Sequence, residues 1–276
     1  NTVTLTVNDG NGNTNTCTAV VTVQDNTLPT ITCSNPVTVT CAGQMPAVNL
    51  AAVMASDNCG APAKTHLSDA TSNQICTNRK TVTRTYRATD ASGNSATCAQ
   101  VITVFDNVAP NFSSVPAHVS VQCHQIPAVG NPTATDGCGG PVTITYDGQT
   151  VSLVLCTDRY TLTRKWTATD ACGNTQTATQ RITVSDTQKP NFTAVPANIT
   201  VQCYNLPAVG IPVATDNCAD TVTIAYNGAT RTNGACTDTY TLTRKWTATD
   251  DCGNTRTATQ KITVRDTEKP VFTAVP

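Results

Sequence analysis

The stretch YTLTRKWTATD, residues 160–170, alternates without a break. Leu162, Arg164, Trp166 and Ala168 fall on one side, and Thr161, Thr163, Lys165, Thr167 and Thr169 on the other. A period of two is the geometry of a pleated strand with one buried face, not of a helix. ITVQC at residues 199–203 and RITV at residues 181–184 alternate in the same way. Asp, Asn, Gly and Pro separate such runs about every 8–12 residues, the signature of an antiparallel β-sandwich. Arg164 stands on the inward side, as do Arg84 and Arg244 in equivalent stretches. A guanidinium there either reaches out at the sandwich edge or pairs internally.

Composition supports the same class. Of 276 residues about a fifth are threonine and only nine are leucine. β-Branched side chains suit a pleated surface and lose rotamer freedom in a helix. The 17 basic and 18 acidic residues leave no electrostatic footprint for nucleic acid or an anionic membrane. No apolar run approaches the ~18 residues of a membrane span. Residue 1 opens inside a strand-like alternation, not a signal peptide.

The strand stretch belongs to a repeated unit. Asp25 and Pro29 bracket a linker that returns at 106–110, at 186–190 as DTQKP and at 266–270 as DTEKP, with spacings of 81, 80 and 80 residues. TDASGN (89–94) returns as TDACGN (169–174) and TDDCGN (249–254), with NDGNGN (8–13) as the earlier counterpart. Counting the partial copy at residues 1–25 as the first, these markers delimit three complete copies: the second, 29–106, the third, 110–186, and the fourth, 190–266. Residues 1–25 read as the last two strands of an earlier copy, and 270–276 as the start of a further one, so the chain is expected to be a window on a longer array.

The 14 cysteines follow the same period. No CxxC occurs and the three histidines are scattered, which argues against zinc. A β-unit of this size with few large side chains buries a small core and needs staples. Disulfides place the chain outside the cytosol. Cys33 and Cys98 are replaced together, by Ser114 and Ala178 in the third copy and by Ala194 and Ala258 in the fourth, which predicts a Cys33–Cys98 bond. The second copy keeps Cys41 and Cys76 although Ser92 stands where the third copy has Cys172. That predicts Cys41–Cys76, Cys123–Cys156 and Cys203–Cys236 within their copies, and Cys138–Cys172 and Cys218–Cys252 at the opposite end. Cys59 is then a free thiol unless Cys33, Cys59 and Cys98 rearrange, and Cys17 looks for a partner upstream.

The ordered motifs VTVxD-N/T-x-x-P, TVxC, AxDNCG and TRxW/Y-x-ATD-x-x-GN resemble hyalin (HYR-type) repeats. They are most similar to the immunoglobulin-like arrays of large secreted surface proteins in Bacteroidota. The resemblance covers essentially the whole chain and implies an all-β array of tandem immunoglobulin-like sandwiches in an adhesin, stalk or fibre. It implies no catalytic activity. The Ser92 position departs from the four-cysteine pattern.

Each junction carries a recurring acidic set: Asp25, Asp57 and Asp90; Asp106, Asp136 and Asp170; Asp186, Asp216 and Asp250. Strand direction puts the last two members of each set in loops at the end facing the preceding copy, beside the linker aspartate. Three carboxylates with backbone carbonyls form a hard-oxygen set suited to Ca²⁺. The competing reading is that each aspartate makes an Asx turn and holds nothing. Copied turns recur as faithfully as copied ligands, so the sequence leaves both open.

Other chemistry is weak. His66, His118 and His124 do not recur at equivalent positions, and no glycine-rich loop links a strand to a helix. The expectation is a non-enzymatic, extracellular or cell-surface repeat region. Its partners are neighbouring copies of the array and other copies in a fibre. The alternative is an adhesive module that grips glycan or protein through its loops.

Overall fold

A computed structural model describes residues 1–218, 221–271 and 273. Among them, the regular elements are strands and three-residue 3₁₀ turns. The protein is all-β, built from tandem sandwiches.

In the third copy a four-stranded sheet runs in the order Val119–Val121, Thr175–Val184, Arg159–Thr169, Thr143–Cys156. A two-stranded sheet pairs Asn111–Ser114 with Thr133–Thr135. The second and fourth copies repeat this plan. One pair in each copy is parallel, not antiparallel: Val37↔Ile102, Val119↔Ile182 and Ile199↔Ile262. Proline explains the departure. Pro36, Pro116 and Pro196 interrupt what would be one long first strand. Lacking an N–H, each ends the first ladder, and the chain resumes in the other sheet beside the last strand. Gly130 lets its own backbone approach closely there, since a Cβ would stand 2.7 Å from the Pro116 ring.

The inward face predicted from residues 160–170 is the core. Leu162, Trp166, Ala168, Ile182 and Val184 are buried, and Tyr86, Ile102 and Val104 or Trp246, Ile262 and Val264 take these places elsewhere. An aromatic neighbour braces each ring: Tyr146 lies 5.6 Å from Trp166 and Tyr226 5.7 Å from Trp246, centroid to centroid. Such pairs add about 0.5–1.5 kcal/mol beyond their buried area.

The inward arginines pair internally. Arg164, 4% exposed, donates to the carbonyls of Pro127 (2.7 Å) and Ala128 (2.9 Å). Arg244 does the same to Pro207 (2.5 Å) and Ala208 (2.8 Å). Each guanidinium thus satisfies the backbone of a loop that has no ladder partner. Arg84 reaches Pro46 O (2.8 Å) and also forks onto Asp69, Nη2 to Oδ2 at 2.9 Å and Nε to Oδ1 at 2.9 Å. The Arg84 hydrogen bond holds the Asp69 carboxyl below its ordinary value.

Residues 1–25 contribute an antiparallel hairpin, Thr2–Asn8 with Thr14–Val20, in continuous register. Of the expected start of a further copy at 270–276, only Pro270, Val271 and Thr273 are among the described residues. By compactness the chain forms two units. The first joins Asn1–Asn111 with Thr135–Thr143 and Thr169–Gln176, and the second holds Phe112–Ala134, Ile144–Ala168 and Thr177–Pro276. Two loops of the third copy, those carrying Cys138 and Cys172, therefore belong with the second copy. No helix among the described residues is long and apolar enough to cross a membrane.

Candidate functional site

The junctions between copies are covalent. In the first unit Cys41 bonds Cys138 and Cys76 bonds Cys172, with Cα–Cα distances of 5.1 and 5.2 Å. In the second unit Cys123 bonds Cys218 (5.8 Å) and Cys156 bonds Cys252 (5.2 Å). All lie within the ordinary reach of a disulfide. The within-copy pairs expected from sequence, Cys41–Cys76, Cys123–Cys156, Cys138–Cys172 and Cys218–Cys252, do not form. Cys203 and Cys236, expected to pair, are both free thiols.

The reason is where each loop points. Cys41 and Cys76 share one end of their copy, and Cys138 and Cys172 share the opposite end of the next. Each sulfur therefore meets the facing copy's cysteine before its own neighbour. Asn78, nearly buried, stands between the two bridges of the first unit. Its Oδ1 accepts from Ala42 N (2.9 Å) and its own carbonyl accepts from Asp106 N (2.9 Å). Cys33–Cys98 does form inside the second copy, at a Cα–Cα distance of 5.6 Å. Cys59 and Cys17 are free and exposed.

The aspartates lie against these bridges, in three separate ways. The linker aspartate uses one oxygen on a turn: Asp25, Asp106 and Asp186 accept from Thr27 N (3.0 Å), Val108 N (3.1 Å) and Gln188 N (3.0 Å). The second aspartate does likewise, with Asp57, Asp136 and Asp216 accepting from the amides of Cys59, Cys138 and Cys218 at 2.9 Å. Their carboxylates converge in pairs. A carboxylate oxygen of Asp106 and one of Asp136 lie within 4.8 Å of each other and of the Cys138 sulfur. Asp25 with Asp57, and Asp186 with Asp216, repeat the arrangement.

The third aspartate does not share it equally. Asp170 spends Oδ1 on the amides of Cys172 (2.8 Å) and Asn174 (2.9 Å), and Oδ2 on the Asn174 side chain (2.8 Å). Asp90 makes the same set with Ser92 and Asn94. For Asp170 and Asp90 burial pushes the carboxyl up, and the hydrogen bonds from Asn174 or Asn94 and the turn amides outweigh it and hold it below its ordinary value. Turn chemistry thus accounts for Asp170 and Asp90 and for one oxygen each of Asp106 and Asp136. At the last junction the roles differ: Asp186 Oδ2 also accepts from the Asn254 side chain (3.4 Å), while Asp250 accepts from Asn254 N on Oδ1 and its buried Oδ2 has no hydrogen-bond partner among the described residues.

What turn chemistry leaves over is specific. Asp106 is 1% exposed, yet among the described residues its Oδ2 has no hydrogen-bond partner, and neither has the buried Oδ1 of Asp136. Asp106, Asp136 and Asp170 have no basic partner among the described residues. An unpartnered buried carboxylate oxygen costs several kcal/mol of lost solvation unless something positive meets it. At the next junction, burial and then the neighbouring charges of Asp216, Asp250 and Asp251 push the Asp186 carboxyl above its ordinary value. Asp106 and Asp136 fit a hard divalent cation: their free carboxylate oxygens are anionic, buried and, among the described residues, unanswered, and the two carboxylates converge. The sulfurs of Cys138 and Cys218 are in disulfides and offer no thiolate.

Sequence reasoning missed the asparagines. Asn94, Asn174 and Asn254 are the last letter of the TDxxGN marker, and each reaches back to the linker aspartate's carbonyl, at 3.1, 3.4 and 3.5 Å. Their recurrence was the signal. The histidines hold structure: His118 Nδ1 accepts from Arg181 N (2.8 Å), and His66 bonds Asp69 (2.9 Å). His124 lies beside Cys123 and Cys218, which are bonded to each other, so the trio is no metal site.

Cys59 is the one junction thiol left over in the first unit. A hydrogen bond to Asp25, then burial and the charges of Asp25, Asp57 and Asp90, push its pKa up. Alkylation needs the thiolate. Cys59 will therefore label slowly at neutral pH although it is exposed, and Asp25→Asn will speed it. Labelling rates by mass spectrometry check this, and equal rates in the two proteins would remove Asp25 as the cause.

Disulfide-stapled, all-β repeats with acidic junctions define a class: an extracellular structural or adhesive repeat region. Residues 112–184, the third copy, match the family described as "HYR-like domain with 4 cysteines". No curated protein matches the chain. Among solved structures it is similar to the Protocadherin GammaB4 extracellular domain, at 15% identity and TM-score 0.33, over 96% of this chain and 56% of that one. Mouse Cadherin-23 EC22-24 gives 17% identity and TM-score 0.35, over 87% and 100%. PcdhgB3 EC1-4 gives 12% and 0.37, over 97% and 83%. Likenesses this weak say nothing of this chain's ligands or partners.

Proposed function

We propose that this chain is a load-bearing segment of an extracellular stalk, adhesin or fibre, in which disulfides staple consecutive copies and calcium stiffens the junctions. The reading assigns it no catalytic role. Its partners are neighbouring copies of the array. The observation that carries it is the pair of buried, unpartnered oxygens of Asp106 and Asp136 beside the Cys41–Cys138 bridge. Asp106 and Asp136 would hold the cation, which would supply the positive charge these oxygens lack. Two copies joined by two bridges cannot separate, and a cation between their loops removes the repulsion that would otherwise favour looser packing.

Calcium titrated into the intact oxidised chain, followed by calorimetry and thermal unfolding, tests this. Binding that is specific to the folded state stabilises by RT ln(1 + [L]/Kd), about 2.7 kcal/mol at 100 Kd. Asp106→Asn should lose the heat and the stabilisation of its site. Asp186→Asn adds a sign. Its raised pKa means that ionisation opposes folding at neutral pH, a cost absent below the ordinary carboxylate range. Without calcium the asparagine variant should be more stable than the parent near pH 7 and lose that advantage on acidification. With calcium it should gain less than the parent. No binding heat, with an unchanged melting temperature, would leave the aspartates as turn formers.

A further inference from the structure

The bridges have a direction. At both junctions the cysteine after the short parallel strand and the cysteine at the hairpin turn of one copy bond the two loop cysteines of the next copy, 95–97 residues further on. In the fourth copy the equivalents of Cys123 and Cys156 are Cys203 and Cys236, and both are free. We infer that Cys203 and Cys236 form a two-point covalent docking face. Its occupant is a further four-cysteine copy in the same chain, joined through the linker at residues 266–270.

A second feature points to that occupant. The way the chain leaves the third copy is fixed by Gln122, whose Nε2 donates to Thr187 Oγ1 (3.0 Å) and whose Oε1 accepts from Thr187 N (3.3 Å). Gln202 makes the same pair with Thr267, at 2.5 and 3.3 Å. Asp266 Oδ1 accepts from Glu268 N (3.0 Å), as Asp186 Oδ1 does from Gln188 N (3.0 Å). The fourth copy thus directs its linker as the third does, and a copy carried on that linker meets the two thiols as the fourth copy meets Cys123 and Cys156. The second copy shows the other half of the code. It has Cys59 for one bridge and Ser92 in place of the other cysteine, so it can accept one staple and not two. The inference rests on the stapled-array reading but not on calcium.

Each bridge forms by thiol–disulfide exchange with a small disulfide oxidant. The Cys236 thiolate attacks the oxidant's S–S bond and releases one thiol. The incoming copy's thiolate then attacks the Cys236 sulfur and releases the second. Two protein thiols are oxidised and one oxidant disulfide is reduced to two thiols.

The test extends the chain with a second copy of residues 187–266 after Asp266, oxidised in a glutathione buffer. Non-reducing peptide maps should join Cys203 to the added counterpart of Cys218, and Cys236 to that of Cys252. Changing the added counterparts of Cys218 and Cys252 to serine should raise the maleimide-accessible thiols at Cys203 and Cys236 of the original fourth copy from none to two, which separates lost bonding from lost folding. A Cys203–Cys236 bond in the extended chain would overturn the inference. So would two open thiols beside a folded added copy. Disulfide-linked dimers of the unextended chain through Cys203 and Cys236 would replace the same-chain occupant with a second molecule. Loss of calcium binding alone would leave the bridges, and this inference, standing.

Discussion

Replacing Cys156 and Cys252 together by serine will destabilise the second compact unit by roughly 4 kcal/mol, because with Cys123–Cys218 intact the lost bridge closes a loop of about 70 residues. Guanidinium unfolding of the oxidised proteins measures it. The single variant decides the pairing itself. In Cys156→Ser the newly reactive thiol should be Cys252, its partner across the junction. If Cys123 became reactive instead, the bridges would lie within copies and the stapled junction would be lost. A disulfide-linked peptide containing Cys123 and Cys218 in the parent is the matching positive result.

Arg164→Met will cost about 3–5 kcal/mol. The side chain is buried, and its removal leaves the carbonyls of Pro127 and Ala128 without their donors in a loop that has no strand to pair with. Methionine fills most of the volume, so the loss reports hydrogen bonding more than a cavity. Arg164→Lys should recover little, because one ammonium on a flexible stem does not reproduce the planar fork that meets two successive carbonyls. Chemical denaturation of the three proteins separates the cases. A methionine variant within about 1 kcal/mol of the parent would mean that water replaces the guanidinium at these carbonyls.

Much of the fold was legible in the letters. Alternation over residues 160–170 placed Leu162, Trp166 and Ala168 in the core, because a pleat sends successive side chains to opposite faces whatever surrounds it. The joint loss of Cys33 and Cys98 identified a bond inside one copy. The fates of the inward arginines and of the first strand were not legible. Arg164 finds carbonyls 36 and 37 residues away, and the strand changes sheets at a proline that local pattern reads only as a break.

At the acidic junctions the sequence identified loops whose linker and second aspartates do converge, and could not divide the work among their oxygens. An Asx turn consumes one carboxylate oxygen. Whether the other is solvated, paired or orphaned depends on what folds over it. Asp170 meets Asn174 four residues on, a local partner visible in the TDxxGN marker. Asp106 Oδ2 meets no partner among the described residues, which only its burial against the loops of the third copy reveals.

Taken alone, the sequence determined the strands, the repeat of about 80 residues, the inward faces and the presence of disulfides, all of which follow from local periodicity and from cysteine count. The choice of partner for Cys41, Cys76, Cys123 and Cys156 was decided by tertiary structure. Copies this alike supply each cysteine position again one repeat later, so a bond within a copy and a bond to the next leave the same spacing pattern. Only the direction in which each loop faces, set by how strands of one copy end against the turns of the next, puts Cys123 beside Cys218 and not beside Cys156.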